Sequence, residues 1–190
     1  MPLFARAMNR EGLDPNGRII LTAQTEGPPN VEVDFLNAIY NAADVGVNTC
    51  KGEGHGLVNH EHAGCRVAQV VPDHTSTKEI FEGAGRLIRC DHVDVDTNYA
   101  REMPCPSADH LAEILTDLYE NREKLDETAR LCYERATSPY YDWDNIAPQF
   151  AGLFQEVLDG SYGAAHDVTE AQPPAEITPR NKRKKKRLGK

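Results

Sequence analysis

At 190 residues the chain fits one domain and a tail, because globular domains commonly run ~100–150 residues. Hydrophobic residues are 39% and charged residues 27%, an ordinary soluble composition. The net charge of -9 hides an asymmetry: residues 180–190 carry eight of the 21 Lys and Arg and none of the 30 acids, leaving 13 bases against 30 acids, -17, for the other 179. So acidic a body repels phosphate backbones, which argues against nucleic-acid binding outside the tail. No apolar run approaches the ~20 residues of a membrane helix.

In chain order, a short helical remnant at 3–8 and a turn at Asp14-Pro15-Asn16-Gly17 precede a strand at 18–23. A helix is expected over Val31 to Ala43, with Val33, Leu36, Ile39, Tyr40 and Ala43 on one stripe. A short strand at 45–49, a glycine-rich loop, and a helix from Leu57 to about Gly64 follow. Then come a strand at 67–71 stopped at Pro72, a short helix at 76–81 and a strand at 86–88. Strand and helix alternating at this pitch imply right-handed crossovers and a parallel sheet, so the fold class is α/β, a Rossmann-like sheet with flanking helices. From Ser107 the pattern turns wholly helical: Leu111, Ile114, Leu115 and Leu118 mark one helix, and others are expected over 122–136 and 144–158. The expected organisation is a domain over 1–160 followed by an aperiodic, disordered tail over 161–190.

The five cysteines, Cys50, Cys65, Cys90, Cys105 and Cys132, form no CxxC pair, and no signal peptide is recognisable; reduced cytosolic thiols are the simple reading. His55, His60, His62 and His74 with Cys50, Cys65 and Asp73 do not match a zinc finger, and His60 and His62 fall about 200° apart on a helix. Packing or surface roles suit them better. Thr75 or Ser76 reads as a helix cap, and Trp143 reads as the Trp of a closing helix or equally as core packing. The basic run Arg180 to Arg187 fits a nuclear-import signal, a tether to anionic membrane or a solvated end, so a nuclear as well as a cytoplasmic location stays open.

The informative stretch is Glu53-Gly54-His55-Gly56-Leu57-Val58-Asn59-His60-Glu61, two glutamates separated by seven residues across a strand, loop and helix junction. In open α/β sheets ligands sit beyond the carboxyl ends of the strands, where this loop lies. Its glycines permit close backbone approach, and the first N–H groups of the following helix suit a diphosphate. Carboxylates suit sugars, since each accepts charge-assisted bonds from vicinal hydroxyls.

In order and spacing, "LNAIYNAADVGVNTC", "EGHGLVNHEHAGC", "VAQVVPDH", "TKEIF", "GRLI" and "DWDNIAPQF", spread from about residue 31 to 154, resemble the donor domain of family 4 retaining glycosyltransferases. The resemblance implies the C-terminal half of a GT-B fold that binds a nucleotide-diphosphate sugar as donor substrate and passes the hexose to an acceptor, with no cofactor and generally no divalent metal. It implies that Glu53 contacts the transferred sugar near the anomeric centre and acts in catalysis. Glu61 would bind the nucleotide ribose, and Gly54, His55, Gly56, Leu57 and Val58 would line the diphosphate, the last three through main-chain N–H groups.

His55 stands where the family usually has an aromatic residue, and Cys50 where Pro or Ser is common. The family's opening strand and basic diphosphate loop, and its acceptor-binding N-terminal domain, have no counterpart in the sequence, and Lys51 is the one cation of the motif loop. The expectation is therefore weak or no turnover by this chain alone, which would act with a separate N-terminal half. The alternative is a non-catalytic module that binds a sugar nucleotide or a partner.

Overall fold

The computed structural model describes residues 3–14 and 32–162. The strand expected at 18–23, most of the turn before it, and the tail from residue 163 onward lie outside the described residues. The chain divides between Thr137 and Ser138 into two compact units.

The first unit begins with helix α1 (Leu3–Arg10) and helix α2 (Val33–Asn41). Strand β1 (Val45–Val47), helix α3 (Leu57–Gly64), strand β2 (Ala68–Pro72), helix α4 (Thr75–Phe81) and strand β3 (Arg86–Ile88) follow. These strands form a parallel sheet in the order β1-β2-β3, with Val45 opposite Ala68 and Pro72 opposite Ile88. The central strand runs through Pro72 rather than stopping before it, because a proline lacks only its N–H and can still close the last rung by position. All five β2 residues are buried, as a strand covered by helices on both faces must be. Ala68 and Val70 pack with Ile88 and with Ile114, Leu118 and Leu125 from helices α5 (Ala108–Glu120) and α6 (Arg122–Ala136). Gln69, pointing the other way, meets α3 instead.

Both later helices start where side-chain caps allow. Ser107 Oγ accepts from the His110 N–H at 3.3 Å, and Asn121 Oδ1 from the Lys124 N–H at 3.1 Å, each satisfying an N–H that has no acceptor inside its own helix.

Between β3 and α5 the structure adds a pair of strands not expected from the sequence. Strands β4 (Cys90–Asp96) and β5 (Arg101–Pro106) form an antiparallel hairpin with a register irregularity between Cys90 and His92. The alternation His92-Val93-Asp94-Val95-Asp96 was the available signal; its valines face solvent at 50% and 64% exposure, so the usual apolar-in reading fails here. Pro104 and Pro106 within β5 further disguise it as a loop.

The second unit comprises a 3-10 turn at Pro139–Tyr141 and helix α7 (Trp143–Leu158), begun by Asp142 accepting from the Asp144 N–H at 3.0 Å. Trp143 is 70% exposed, so the core-packing reading of this residue does not hold within its unit. Among the described residues no helix is long and apolar enough to cross a membrane.

Candidate functional site

Because β1, β2 and β3 run parallel, the segments that follow them emerge at one edge of the sheet. The first of these, residues 48–56, carries the motif. Its shape rests on a buried chain of amides: Asn48 Nδ2 donates to Asn59 Oδ1 at 2.7 Å, Asn59 Nδ2 to Gln69 Oε1 at 2.9 Å, and Gln69 Nε2 to the Val67 carbonyl at 3.0 Å. Asn48 Oδ1 accepts the Cys50 N–H at 2.7 Å, so the loop is pinned at its first turn. Asn59 and Gln69 are buried at 3% and 0% exposure, where a fully paired polar chain specifies one geometry and an unpaired one would be costly.

Gly46 makes room for this arrangement. A Cβ on it would lie 2.5 Å from Gln69 Oε1 and 2.5 Å from His62 Nδ1. Gly56, which ends the loop as the N-cap of α3, has φ +78°, a left-handed conformation that side chains other than glycine's adopt at a cost.

The far side of the loop is held by α4. Ser76 Oγ donates to the Glu53 carbonyl at 3.0 Å, and Thr77 Oγ1 donates to the carbonyls of Pro72 and His74. The residue at the N-cap of α4 is His74, without a side-chain cap bond. Thr75 and Ser76 thus lie inside the first turn and do not cap it. Ser76 fastens the motif loop, and Thr75 takes φ +49°, strained for a β-branched residue, at the rim of the adjoining cleft.

That cleft, of about 560 Å³, is lined by Lys51, Gly52, Glu53, Gly54 and Thr75 on the motif side and by Arg101, Glu102, Met103 and Pro104 of β5 on the other. A second, of about 390 Å³, opens between the end of β1 and α3, with Asn48, Cys50, Glu53, Val58, Asn59 and His62 among its lining residues. Glu53 belongs to both and is exposed. Gly54 lines the first and Val58 the second, while Leu57 and Val58 project from the first turn of α3 at 65% and 64% exposure. The amides at that turn have no acceptor within the helix. His55 is half-buried with its ring 5.2 Å from that of His60.

Glu61 lies one turn further along α3, exposed, and lines neither cleft; its Oε2 accepts the Tyr40 hydroxyl at 3.0 Å. Burial and the neighbouring Glu61 carboxylate push the Tyr40 phenol up to about 12, so it stays protonated and a donor. The Tyr40 ring stacks on His62 at 4.9 Å, and His62 Nε2 meets the Tyr40 carbonyl at 3.1 Å. His60 turns instead toward the end of α6, its Nε2 3.1 Å from the Ala136 carbonyl. The two imidazoles therefore diverge, in keeping with their angular separation on a helix, and burial lowers the pKa of both.

Sequence reasoning missed Arg101 as a cleft residue. Lys51 is the motif loop's own cation, but the hairpin brings a second across from Glu53, paired with Asp96 at 3.3 Å and lying 5.4 Å from the Tyr99 ring. Only strand pairing places Arg101 there; the usable hint was the alternation that marks β4.

No protein-family model matches the chain, and no curated protein matches it by sequence. Among solved structures, a sucrose-phosphate synthase from Thermosynechococcus elongatus is similar with a TM-score of 0.61 and 19% identity over 83% of this chain and 34% of that one. The chain thus spans about a third of the length of that enzyme. The likeness is one of fold: a parallel sheet flanked by helices, the Rossmann-like half of a GT-B architecture.

Proposed function

We propose that the chain is the donor-binding half of a retaining, family 4-like glycosyltransferase, in which Glu53 faces the transferred hexose and the α3 start cradles the diphosphate. The observation that carries this reading is the position of Glu53. It sits on a loop pinned by buried amides at the carboxyl edge of a parallel sheet, where two clefts meet, in a fold shared with a sucrose-phosphate synthase. A nucleotide sugar has a hexose, a diphosphate and a nucleoside to place, and adjoining clefts joined at one carboxylate suit such an extended ligand.

The body's acidity makes counter-charge essential. Lys51 and Arg101 line one cleft, and Leu57 and Val58 offer main-chain donors at a helix start, where the dipole favours anions. Glu61 keeps acceptor capacity beside its bond from Tyr40, since a carboxylate offers about four lone-pair directions, and a ribose hydroxyl pair can share it. Chemistry in such a site rests on positioning and on stabilising charge that develops on the leaving diphosphate. An acceptor-binding half would come from a separate segment or protein.

The test is titration of the purified chain with UDP and GDP, followed by the matching nucleotide sugars. Saturable binding is expected, weakened roughly 10- to 150-fold in Glu61→Ala, the span of one lost charge-assisted bond of ~1.5–3 kcal/mol. Glu53→Gln should impair sugar-dependent affinity while sparing the bare nucleotide. Binding to neither nucleotide would sink the donor-site reading and favour an interaction module.

A further inference from the structure

Away from the two motif glutamates, the hairpin gathers a donor set of a different kind. One nitrogen of His92, one carboxylate oxygen of Asp94 and Cys105 Sγ all lie within 4.8 Å of one another. The cause is the ladder. His92 and Asp94 are two apart on β4 and share a face, and His92 is directly opposite Cys105 on β5. The register irregularity between Cys90 and His92 falls at this rung, and such irregularities re-aim side chains.

We propose that His92, Asp94 and Cys105 bind a zinc-class divalent cation that clamps β4 to β5 and displaces Lys51 from Asp94. Tetrahedral donors at bond lengths of ~2.0–2.3 Å stand roughly 3.3–3.8 Å apart, so a small side-chain rotation closes the set; His92 Nε2 and Asp94 Oδ1 are already 3.9 Å apart. Imidazole and thiolate select zinc-like ions over magnesium or calcium, which prefer all-oxygen shells. Cys105 is 4% exposed, inside the strand pair, and its thiol donates to the Met103 carbonyl at 3.5 Å. Coordination would release that proton. His92 is exposed, giving an ion a route in, and three protein ligands leave a fourth position for water.

Asp94 is held by the Lys51 ammonium in the structure. A divalent ion and an ammonium on one carboxylate repel, so the two compete for it. Lys51 is also a lining residue of the cleft that contains Glu53, so ion binding at the hairpin changes the charge available beside the candidate sugar site. This proposal does not depend on the donor-binding one, because its readout needs no nucleotide.

The experiment is titration of the reduced full-length chain with Co²⁺, read by thiolate-to-cobalt charge-transfer absorption, and then with Zn²⁺ as competitor. Expected is one equivalent of cobalt with a charge-transfer band that Zn²⁺ removes. The band is lost in Cys105→Ser, and affinity falls by about tenfold or more in His92→Ala, at least as much as loss of a supporting residue costs. It is unchanged in Cys65→Ser. Lys51→Met should bind about two- to fivefold more tightly, the size of an exposed ion pair. Should Cys105→Ser fail to fold by circular dichroism, the exposed His92→Ala variant decides. No band at saturating cobalt, or equal affinity in His92→Ala, overturns the site; unchanged or weaker binding in Lys51→Met overturns the exchange.

Discussion

The motif loop and the β4–β5 hairpin share one cleft, yet they keep their shapes by different means. The loop hangs from a polar chain that leads into the core: half-buried Asn48 is linked to buried Asn59 and Gln69 in series, and Ser76 holds its outer turn. The hairpin has almost no core of its own. Its valines face solvent, Cys105 is its one buried side chain among β4 and β5, and exposed ion pairs from Lys51 and Arg101 hold its surface. A buried polar chain defines one geometry because every alternative leaves a group unpaired, whereas exposed ion pairs contribute ~0–1 kcal/mol each and are readily exchanged. The half of the cleft that carries Glu53 is therefore preorganised, and the half that carries Arg101 is adjustable.

The sharpest way to break this contrast is to truncate within α4, the helix that holds the loop, and on the hairpin. Phe81, fully buried on α4, should cost ~3–5 kcal/mol as Phe81→Ala, whereas Val95→Thr on the hairpin should stay within ~0.5 kcal/mol, both read from urea unfolding midpoints. Comparable costs at the two positions would mean the hairpin is buried in solution. Next in size is Gly46→Ala, whose methyl must displace Gln69 or His62. We expect a loss of ~1–3 kcal/mol, with weaker nucleotide binding if the amide chain positions the loop. A neutral Gly46→Ala would show that the chain of amides yields easily.

The smallest expected effect is on pH dependence. His60 and His62 have folded-state pKa values lowered by burial, so the unfolded chain binds protons more readily. Their contribution is complete above the unfolded value of ~6.5 and declines as pH falls below it toward the folded values. The unfolding midpoint should therefore drop between pH 7 and pH 5, and His62→Gln should flatten that slope. Asp94 and Asp117, whose pKa values are lowered by Lys51 and Lys124, act only at more acid pH and leave this window clear. A slope unchanged by His62→Gln would mean that the His62 ring is accessible to water in the folded chain.

Periodicity and motif order alone determined the parallel α/β sheet, the helices after Ser107 and the glycine-bounded loop between two glutamates. Those features are local: a helix stripe, a buried strand or a left-handed glycine is encoded in a few consecutive residues. Tertiary structure decided what those residues meet. Ser76 fastening the Glu53 loop, Gln69 supporting Asn59 from the central strand, and Glu61 engaging Tyr40 join residues 10 to 23 positions apart. The hairpin is the extreme case. Its alternation was visible, but its valines face water, so hydrophobicity pointed the wrong way and only strand pairing could bring Arg101 into the cleft with Glu53, and Cys105 opposite His92.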